Sequence, residues 1–347
     1  MNNKHILIYT SSIKAALTKL DILAVDAILF IVDSNNKLIG SLTDGDVRRG
    51  LIKGVKITDS VTSVIQSKYK FIQKDNYDLN SIIKLRDDNY KILPVIDSDG
   101  SIVDLVNFRF LKSYLPIDAV IMAGGRGTRL QPLTNNTPKP LLPVGDKTIM
   151  EHNVDRLTEF GIQNFWFSIN YLGEQIENFF RSGKEKKINI NYVWEKKPLG
   201  TIGAVSKIDN FIHNDILVTN SDILTNLNYE KFYLNFKNSN ADLSIVSIPY
   251  EVNIPYAVLE KNSQDFITGL KEKPVYTYYS NGGIYLIKKS VLELIPENSF
   301  FNATDLIEKV ISLNKKVISY SFNGYWLDVG KHEDYEKAQK DIHNIIL

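Results

Sequence analysis

The sequence contains no cysteine, which excludes disulfides, thiolate nucleophiles and Cys-ligated metals. Neither sign of charge is in surplus, since 41 Lys and Arg stand against 40 Asp and Glu for a formal net charge of +1. That balance argues against a strongly basic nucleic-acid binder. No run approaches the roughly 18 uninterrupted apolar residues of a membrane span, and residues 1–8 carry neither a long apolar stretch nor a small-residue cleavage site. Histidines are few, and His5, His152, His213, His332 and His343 lie in unrelated contexts, with no Gly-x-Ser-x-Gly anywhere. Metal-hydrolase and catalytic-triad chemistry therefore fit poorly. The expectation is a cytoplasmic enzyme that engages neither nucleic acid nor membrane. Its 347 residues, 44% of them hydrophobic, predict two domains with real cores.

The first third repeats itself. Phe30-Ile31-Val32-Asp33-Ser34-Asn35-Asn36-Lys37-Leu38-Ile39-Gly40 matches Pro94-Val95-Ile96-Asp97-Ser98-Asp99-Gly100-Ser101-Ile102-Val103, 64 residues later. Each copy reads as a hairpin, two β-rich runs around a turn of Asp, Ser, Asn or Gly. Ile13, Leu17 and Leu20 mark a helix face before the first hairpin, and Leu79, Ile82 and Ile83 one before the second. Neither unit could bury its apolar face alone, so the two should pack as one α+β domain over 1–115. The repeat resembles a tandem pair of cystathionine-β-synthase (CBS) motifs, above all at Gly40-Ser41-Leu42-Thr43-Asp44-Gly45-Asp46. The resemblance implies an adenine nucleotide held by Thr43 and Asp46. Asn107 and Phe110 stand at the matching positions of the second copy, so at most one such site is expected. A purely structural or dimer-forming pair is the alternative, and a homodimer is expected on either reading.

From Ile117 the pattern changes to alternating strands and helices. Asp118-Ala119-Val120-Ile121-Met122-Ala123 is a buried-strand run ending in glycines. Met150, Val154 and Leu157 share a helix face that Gly161 can terminate, and Phe165–Ile169 reads as the next strand. Ile176, Phe179 and Phe180 mark a further helix, and 189–193 and 216–219 further strands. This rhythm predicts a mostly parallel sheet with helices on both faces over 117–347.

The chemistry is concentrated in Ala123-Gly124-Gly125-Arg126-Gly127-Thr128-Arg129-Leu130 and, a few residues on, Thr137-Pro138-Lys139-Pro140. Glycines after a buried strand let backbone N–H groups approach an anion without interference from Cβ. Arg126 and Arg129 supply fork-shaped donors for phosphate oxygens, and Lys139, between two prolines, adds a positioned point charge. The pattern is a polyphosphate cradle. It is not a Walker A loop, which ends Gly-Lys-Ser/Thr, nor a dinucleotide fingerprint, because Leu130 occupies the third glycine's place. Read singly, Asp222 and Asp328 are turn residues, Lys273 is a solvated lysine and Asn281-Gly282 is a turn. Their order along the chain is what carries weight.

That order resembles the sugar-1-phosphate nucleotidylyltransferases, whose Rossmann-like α/β domain has a mostly parallel, mixed sheet. The resemblance runs from Asp118 to the end. It implies nucleotide contacts from Ala123, Gly124, Gly125, Arg126, Gly127 and Thr128, and base and sugar contacts from the Glu195–Ala204 segment, including Glu195, Gly200 and Thr201. It implies catalytic charges on Arg129, Lys139 and Lys273. It assigns sugar binding to Asn220, Glu272, Asn281 and Gly283, and Mg²⁺ to Asp222 and Asp328. Ser221 stands where glycine is usual in the Val218–Asp222 segment. The implied partners are a nucleoside triphosphate and a sugar-1-phosphate. The Pro198-Leu199-Gly200-Thr201-x-Gly203-Ala204 run is closest to mannose-1-phosphate guanylyltransferases and favours GTP. Fusion to a CBS pair is similar to the glucosamine-1-phosphate guanylyltransferases of the legionaminic acid pathway, which favours a hexosamine- or hexose-1-phosphate. A nucleotide sensor that binds without catalysis, and a glycosyltransferase of similar sheet architecture, are the competing readings. The latter has no need of the glycine-arginine loop with Pro-Lys-Pro.

Overall fold

The two Asp-led turns of the repeat fold alike. In the computed structural model, which describes residues 4–74 and 76–345, Asp33 Oδ1 accepts the amides of Asn35 and Lys37 at 2.8 and 2.9 Å. Asp97 Oδ1 accepts those of Asp99 and Ser101 at 3.0 and 2.9 Å. Met1–Asn3 of the N-terminal stretch, with Asp75, Ile346 and Leu347, lie outside the described residues. The chain divides into two compact units, Met1–Tyr114 and Leu115–Leu347.

The first unit runs β1 (Ile6–Ile8), α1 (Ile13–Leu23), β2 (Ile28–Val32), β3 (Leu38–Thr43), α2 (Asp44–Ile52), and then β4 (Ile72–Gln73), α3 (Leu79–Asp87), β5 (Ile92–Ile96), β6 (Ile102–Asn107). Each half is a three-stranded sheet in which the middle strand pairs parallel with the first and antiparallel with the third. The register slips at Ile31/Val32 and again at Val95/Ile96, the same step in each copy. Phe30, Val32 and Leu38 of one half share a core with Ile92, Ile96 and Ile102 of the other. Side-chain caps begin two of the helices, Ser12 accepting from Ala15 N and Asp78 from Asn80 N and Ser81 N. Thr43 and Asp46 form a capping box that opens α2.

The second unit runs β7 (Ile117–Ala123), β8 (Pro143–Val144), β9 (Lys147–Thr148), α4 (Ile149–Glu159), β10 (Asn164–Ile169), α5 (Gly173–Phe180), β11 (Asn189–Trp194), β12 (Asp215–Asn220), β13 (Ile223–Thr225) and α6 (Tyr229–Asn238). It continues β14 (Leu243–Asn253), β15 (Val258–Lys261), β16 (Ile267–Lys271), β17 (Val275–Lys288), α7 (Lys289–Leu292), α8 (Ala303–Ser312), β18 (Val317–Ser321), β19 (Trp326–Asp328) and α9 (His332–Asp341). Seven strands form one mixed sheet in the order β11-β10-β7-β12-β17-β14-β18. β11, β10, β7 and β12 are mutually parallel, β17 is antiparallel to both its neighbours, and β14 pairs parallel with β18.

The β7 side chains fail to alternate because both faces are covered, and Ile117 to Ile121 are all buried. On α4, Ile149, Met150, Val154 and Leu157 are fully buried, and Gly161 follows the helix at φ 78°, where a side chain would be strained. On α5 Ile176 and Phe180 are buried, but Phe179, expected on the same face, is 47% exposed. The i, i+4 pair faces the core and Phe179 rotates outward. β14 and β17 continue past the sheet as a two-stranded ribbon, from Ser247↔Asn281 to Asn253↔Val275, with the β15–β16 hairpin beyond it.

Candidate active site

The parallel strands β7, β10 and β12 end together, with Ile169 paired to Ala123 and Asn220 to Met122. The carboxyl edge of such a sheet is where an open α/β fold collects its loops. The loop after β7 is held by hydrogen bonds from several directions. Thr134 Oγ1 donates to Gly127 O at 2.9 Å, and Tyr171 Oη donates to Thr134 O at 3.0 Å and Asn135 O at 2.9 Å. Gln175 Nε2 donates to Asn136 O at 3.0 Å. Gly127 adopts φ 62°, and a Cβ there would lie 3.0 Å from the Lys139 and Thr134 side chains. The glycine thus lets the loop fold back onto the segment that carries Lys139.

Two strand ends and a crossing strand bring the charges together. Asp222 follows β12, and β13 pairs antiparallel with β19 so that Ile223 faces Asp328. Val329 N donates to Asp222 O at 2.9 Å, closing the turn. Lys139, only 8% exposed, donates through Nζ to Asp222 Oδ2, and the same Nζ lies 3.9 Å from Asp328 Oδ1. Arg129 packs over Gly330, where a Cβ would stand 3.3 Å from the guanidinium. Burial raises the Asp328 carboxyl above its ordinary range and the Asp222 charge adds to this, while Lys139 and Arg129 pull it back.

Two cavities meet here. The larger, about 480 Å³, is lined by Met122, Gly124, Gly125, Gly127, Thr128, Arg129, Lys139, Pro140, Glu195, Pro198, Leu199, Gly200, Thr201, Asn220, Ser221, Asp222, Phe300 and Asn302. The smaller, about 290 Å³, is lined by Thr201, Asn220, Ile223, Asn281, Gly282, Gly283, Tyr285, Asn302, Ala303, Thr304, Trp326 and Asp328. Thr201, Asn220 and Asn302 belong to both walls, so Asp222 faces one cavity and Asp328 its neighbour, with Lys139 between. Gly125 faces open space, with no atom within 4 Å of where a Cβ would stand.

Several expected residues take other roles. Ala123 is 1% exposed inside β7, and Arg126 is exposed; neither lines either of these two cavities. Glu195 does line one, yet its carboxylate accepts from Ser168 Oγ and, at 2.9 Å, from Leu199 N. It positions the 195–200 loop. Glu272 and Lys273 are exposed and line neither cavity. The physical reason is the ribbon. Six strand steps separate Asn281 from Val275, about 20 Å of extended chain, and Lys273 lies beyond them at φ 42°. The structure therefore does not bring the expected Lys273 and Glu272 contacts to the site. Thr43 and Asp46 line a separate cavity of about 390 Å³ in the first unit. There Asp46 accepts from Thr43 N, Thr43 Oγ1, Gln66 Nε2 and Arg49 Nη2 at 2.5–2.9 Å, so both its oxygens are already used for capping and packing. In the second repeat Asn107 and Arg109 both donate to Asp26, and Phe110 is 69% exposed.

Sequence reasoning misses the segment before α8. Asn302 caps α8 in a box with Asp305, Thr201 N donates to Asn302 Oδ1 at 3.3 Å, and Ala303 N donates to Thr201 Oγ1 at 2.9 Å. The signal is there as Asn302-x-x-Asp305 ahead of the apolar face of Leu306 and Val310. Gly200, at φ 81°, fits against it, and a Cβ would meet Phe301 O at 2.5 Å. Gly200→Ala is expected to destabilise the protein by about 1–3 kcal/mol through strain and displaced backbone, read as a lower urea midpoint, and to weaken ligand binding in both cavities.

The Mg²⁺ assignment can be tested on the donors. Among the described residues Asp222 Oδ1 and Asp328 Oδ1 have no hydrogen-bond partner and are shielded from solvent, which leaves both oxygens open to a cation. Among the described residues no cluster of three or more His, Asp or Glu could hold a metal by itself. Two carboxylates, with substrate phosphates and water completing the shell, suit Mg²⁺.

A sequence profile of the nucleotidyl transferase family matches residues 118–345. The chain belongs to that family. A mannose-1-phosphate guanyltransferase of Schizosaccharomyces pombe is 32% identical over 225 residues, which cover 62% of this chain and 62% of that protein. The chain thus spans under two thirds of that relative's length. A D-glycero-α-D-manno-heptose 1-phosphate guanylyltransferase of Aneurinibacillus thermoaerophilus is 30% identical over 66% of this chain and 100% of that protein. A UTP–glucose-1-phosphate uridylyltransferase of Synechocystis is 27% identical over 65% of this chain and 63% of that protein. Among solved structures, HddC from Yersinia pseudotuberculosis complexed with GMP-PN superposes with a TM-score of 0.50 at 25% identity, over 65% of this chain and 99% of that one. The nucleotidyl transferase fold of residues 118–345 is therefore an α/β sheet of mixed, mostly parallel strands.

Proposed function

We propose that the protein transfers a nucleoside monophosphate from a nucleoside triphosphate, GTP by preference, to a sugar-1-phosphate. The sugar is a hexosamine- or hexose-1-phosphate such as glucosamine-1-phosphate. The products are a nucleoside-diphosphate sugar and pyrophosphate, and the sugar nucleotide feeds surface glycan or nonulosonic acid synthesis. The observation that carries this reading is Lys139 seated between Asp222 and Asp328 where the two cavities meet. One cavity suits a triphosphate with its base, and the other a phosphorylated sugar lined by the amides of Asn220, Asn281 and Asn302.

In the reaction a phosphate oxygen of the sugar-1-phosphate attacks the α-phosphorus. The bond from that phosphorus to the bridging oxygen breaks, and pyrophosphate leaves with the electron pair. The attacking oxygen is already anionic, so no general base is required, and the work is charge neutralisation and alignment. Lys139 and Arg129 offset the phosphate charge, and the backbone of Gly124, Gly125 and Gly127 lets the triphosphate lie close. Thr128 and Thr201 add hydroxyl groups, and Gly283 keeps Asn220 in place, since a Cβ there would stand 2.7 Å from Asn220 Nδ2. Asp222 and Asp328 would hold Mg²⁺, which when bound offsets the charge of the phosphates and the departing pyrophosphate.

For the first unit we propose a CBS pair with a regulatory or oligomer-forming role. Lys68, Lys70 and Lys91 on the wall of its cavity favour an anionic ligand such as an adenine nucleotide. A pyrophosphate-release screen of four triphosphates against a panel of sugar-1-phosphates, with and without AMP, tests both proposals. Turnover with GTP and one sugar phosphate is expected. Nucleotide binding without pyrophosphate release from any pair would favour the non-catalytic sensor instead.

A further inference from the structure

We propose that Phe300 is the aromatic face on which the nucleobase of the triphosphate stacks. This rests on the nucleotidyl-transfer reading and adds a residue to the donor-binding half of that site. The wall of the larger cavity carries the charged Arg129, Lys139 and Asp222 and the apolar Met122, Pro140, Pro198, Leu199 and Phe300, while the Glu195 carboxylate on the same wall is taken up by Ser168 Oγ and Leu199 N. A triphosphate must take the charged residues, which leaves the apolar ones for the base. Phe300 is 64% exposed on that wall, so the face of its ring is open to a ligand.

The ring is nevertheless presented by fixed backbone. Phe301 N donates to Leu199 O at 2.9 Å, and Ile202 N and Gly203 N donate to Phe301 O at 3.2 and 3.1 Å. Ser299 O lies 2.7 Å from where a Gly203 Cβ would stand. The chain on both sides of Phe300 is therefore fastened to the Leu199–Gly203 loop, and Asn302, two residues on, caps α8. An aromatic carried on fastened backbone beside a glycine-threonine loop is a stacking platform whose backbone ordering cost is already met in the free protein. Because every base has a π-face, such a ring strengthens binding without choosing among bases.

The test compares wild type, Phe300→Ala and Phe300→Trp by steady-state kinetics with the best triphosphate, and by calorimetric binding of that triphosphate. Inorganic tripolyphosphate, which has no base, serves as a competitive inhibitor. Phe300→Ala is expected to raise KM and Kd for the triphosphate roughly ten-fold, with the loss in KM rather than in kcat. Phe300→Trp restores both, and the inhibition constant of tripolyphosphate is the same in all three proteins. A Phe300→Ala protein with unchanged triphosphate affinity overturns the proposal. So does one in which KM for the sugar phosphate rises instead, or in which tripolyphosphate binding weakens in parallel. A wild-type protein that binds triphosphate but releases no pyrophosphate defeats the catalytic reading alone, and calorimetry still decides the role of Phe300.

Discussion

Lys139→Ala is expected to lower kcat by about 10²–10³-fold, the usual cost of removing one preorganised charge from a site where negative charge builds up. Lys139 is the cation both carboxylates share, bonded to Asp222 and 3.9 Å from Asp328. Without it two like charges face incoming phosphates with Arg129 left to compensate, and the penalty grows as the reactants close. Stability should change little by comparison. The Asp222 and Asp328 side chains are 22% and 43% exposed, so water can enter the space the lysine side chain leaves and reach the oxygens that are shielded while it is in place. A melting point within a few degrees of wild type, roughly, together with a collapsed kcat, is the outcome that supports the assignment. Wild-type turnover in the purified variant would remove Lys139 from the reaction.

Asp222→Asn is expected to have an effect of similar size, about 10²–10³-fold in kcat. The substitution keeps shape and volume and leaves an oxygen for Lys139 Nζ, but it removes the charge that would hold a divalent cation. The distinguishing readout is Mg²⁺ dependence. The variant should need a higher Mg²⁺ concentration for half-maximal rate, while its sugar-phosphate KM measured at saturating Mg²⁺ moves less. An unaltered Mg²⁺ titration with a lowered rate would mean that Asp222 acts only by orienting Lys139. Asp222 Oδ1 has no hydrogen-bond partner among the described residues, and that is why the first result is expected.

Much of this protein is legible residue by residue, because local chemistry needs no distant partner. Glycines must follow β7 for a backbone to approach a phosphate, the Asp-led turns repeat because an Asx turn is made within five residues, and α4 shows its buried face in a 3.6-residue period. Distance along the chain hides the rest. It took the β13–β19 pairing to bring Asp328 beside Asp222, and the packing of 299–303 on the Gly200 loop to add Asn302 and Phe300 to the site. The ribbon of β14 and β17 carried Glu272 and Lys273 away from the cavities, and the neighbours of Asp46 used up a carboxylate that its motif offers to a ligand. In each case the outcome depends on where a strand pairs or which donor arrives first. Those contacts join residues far apart in sequence, and no local pattern records them.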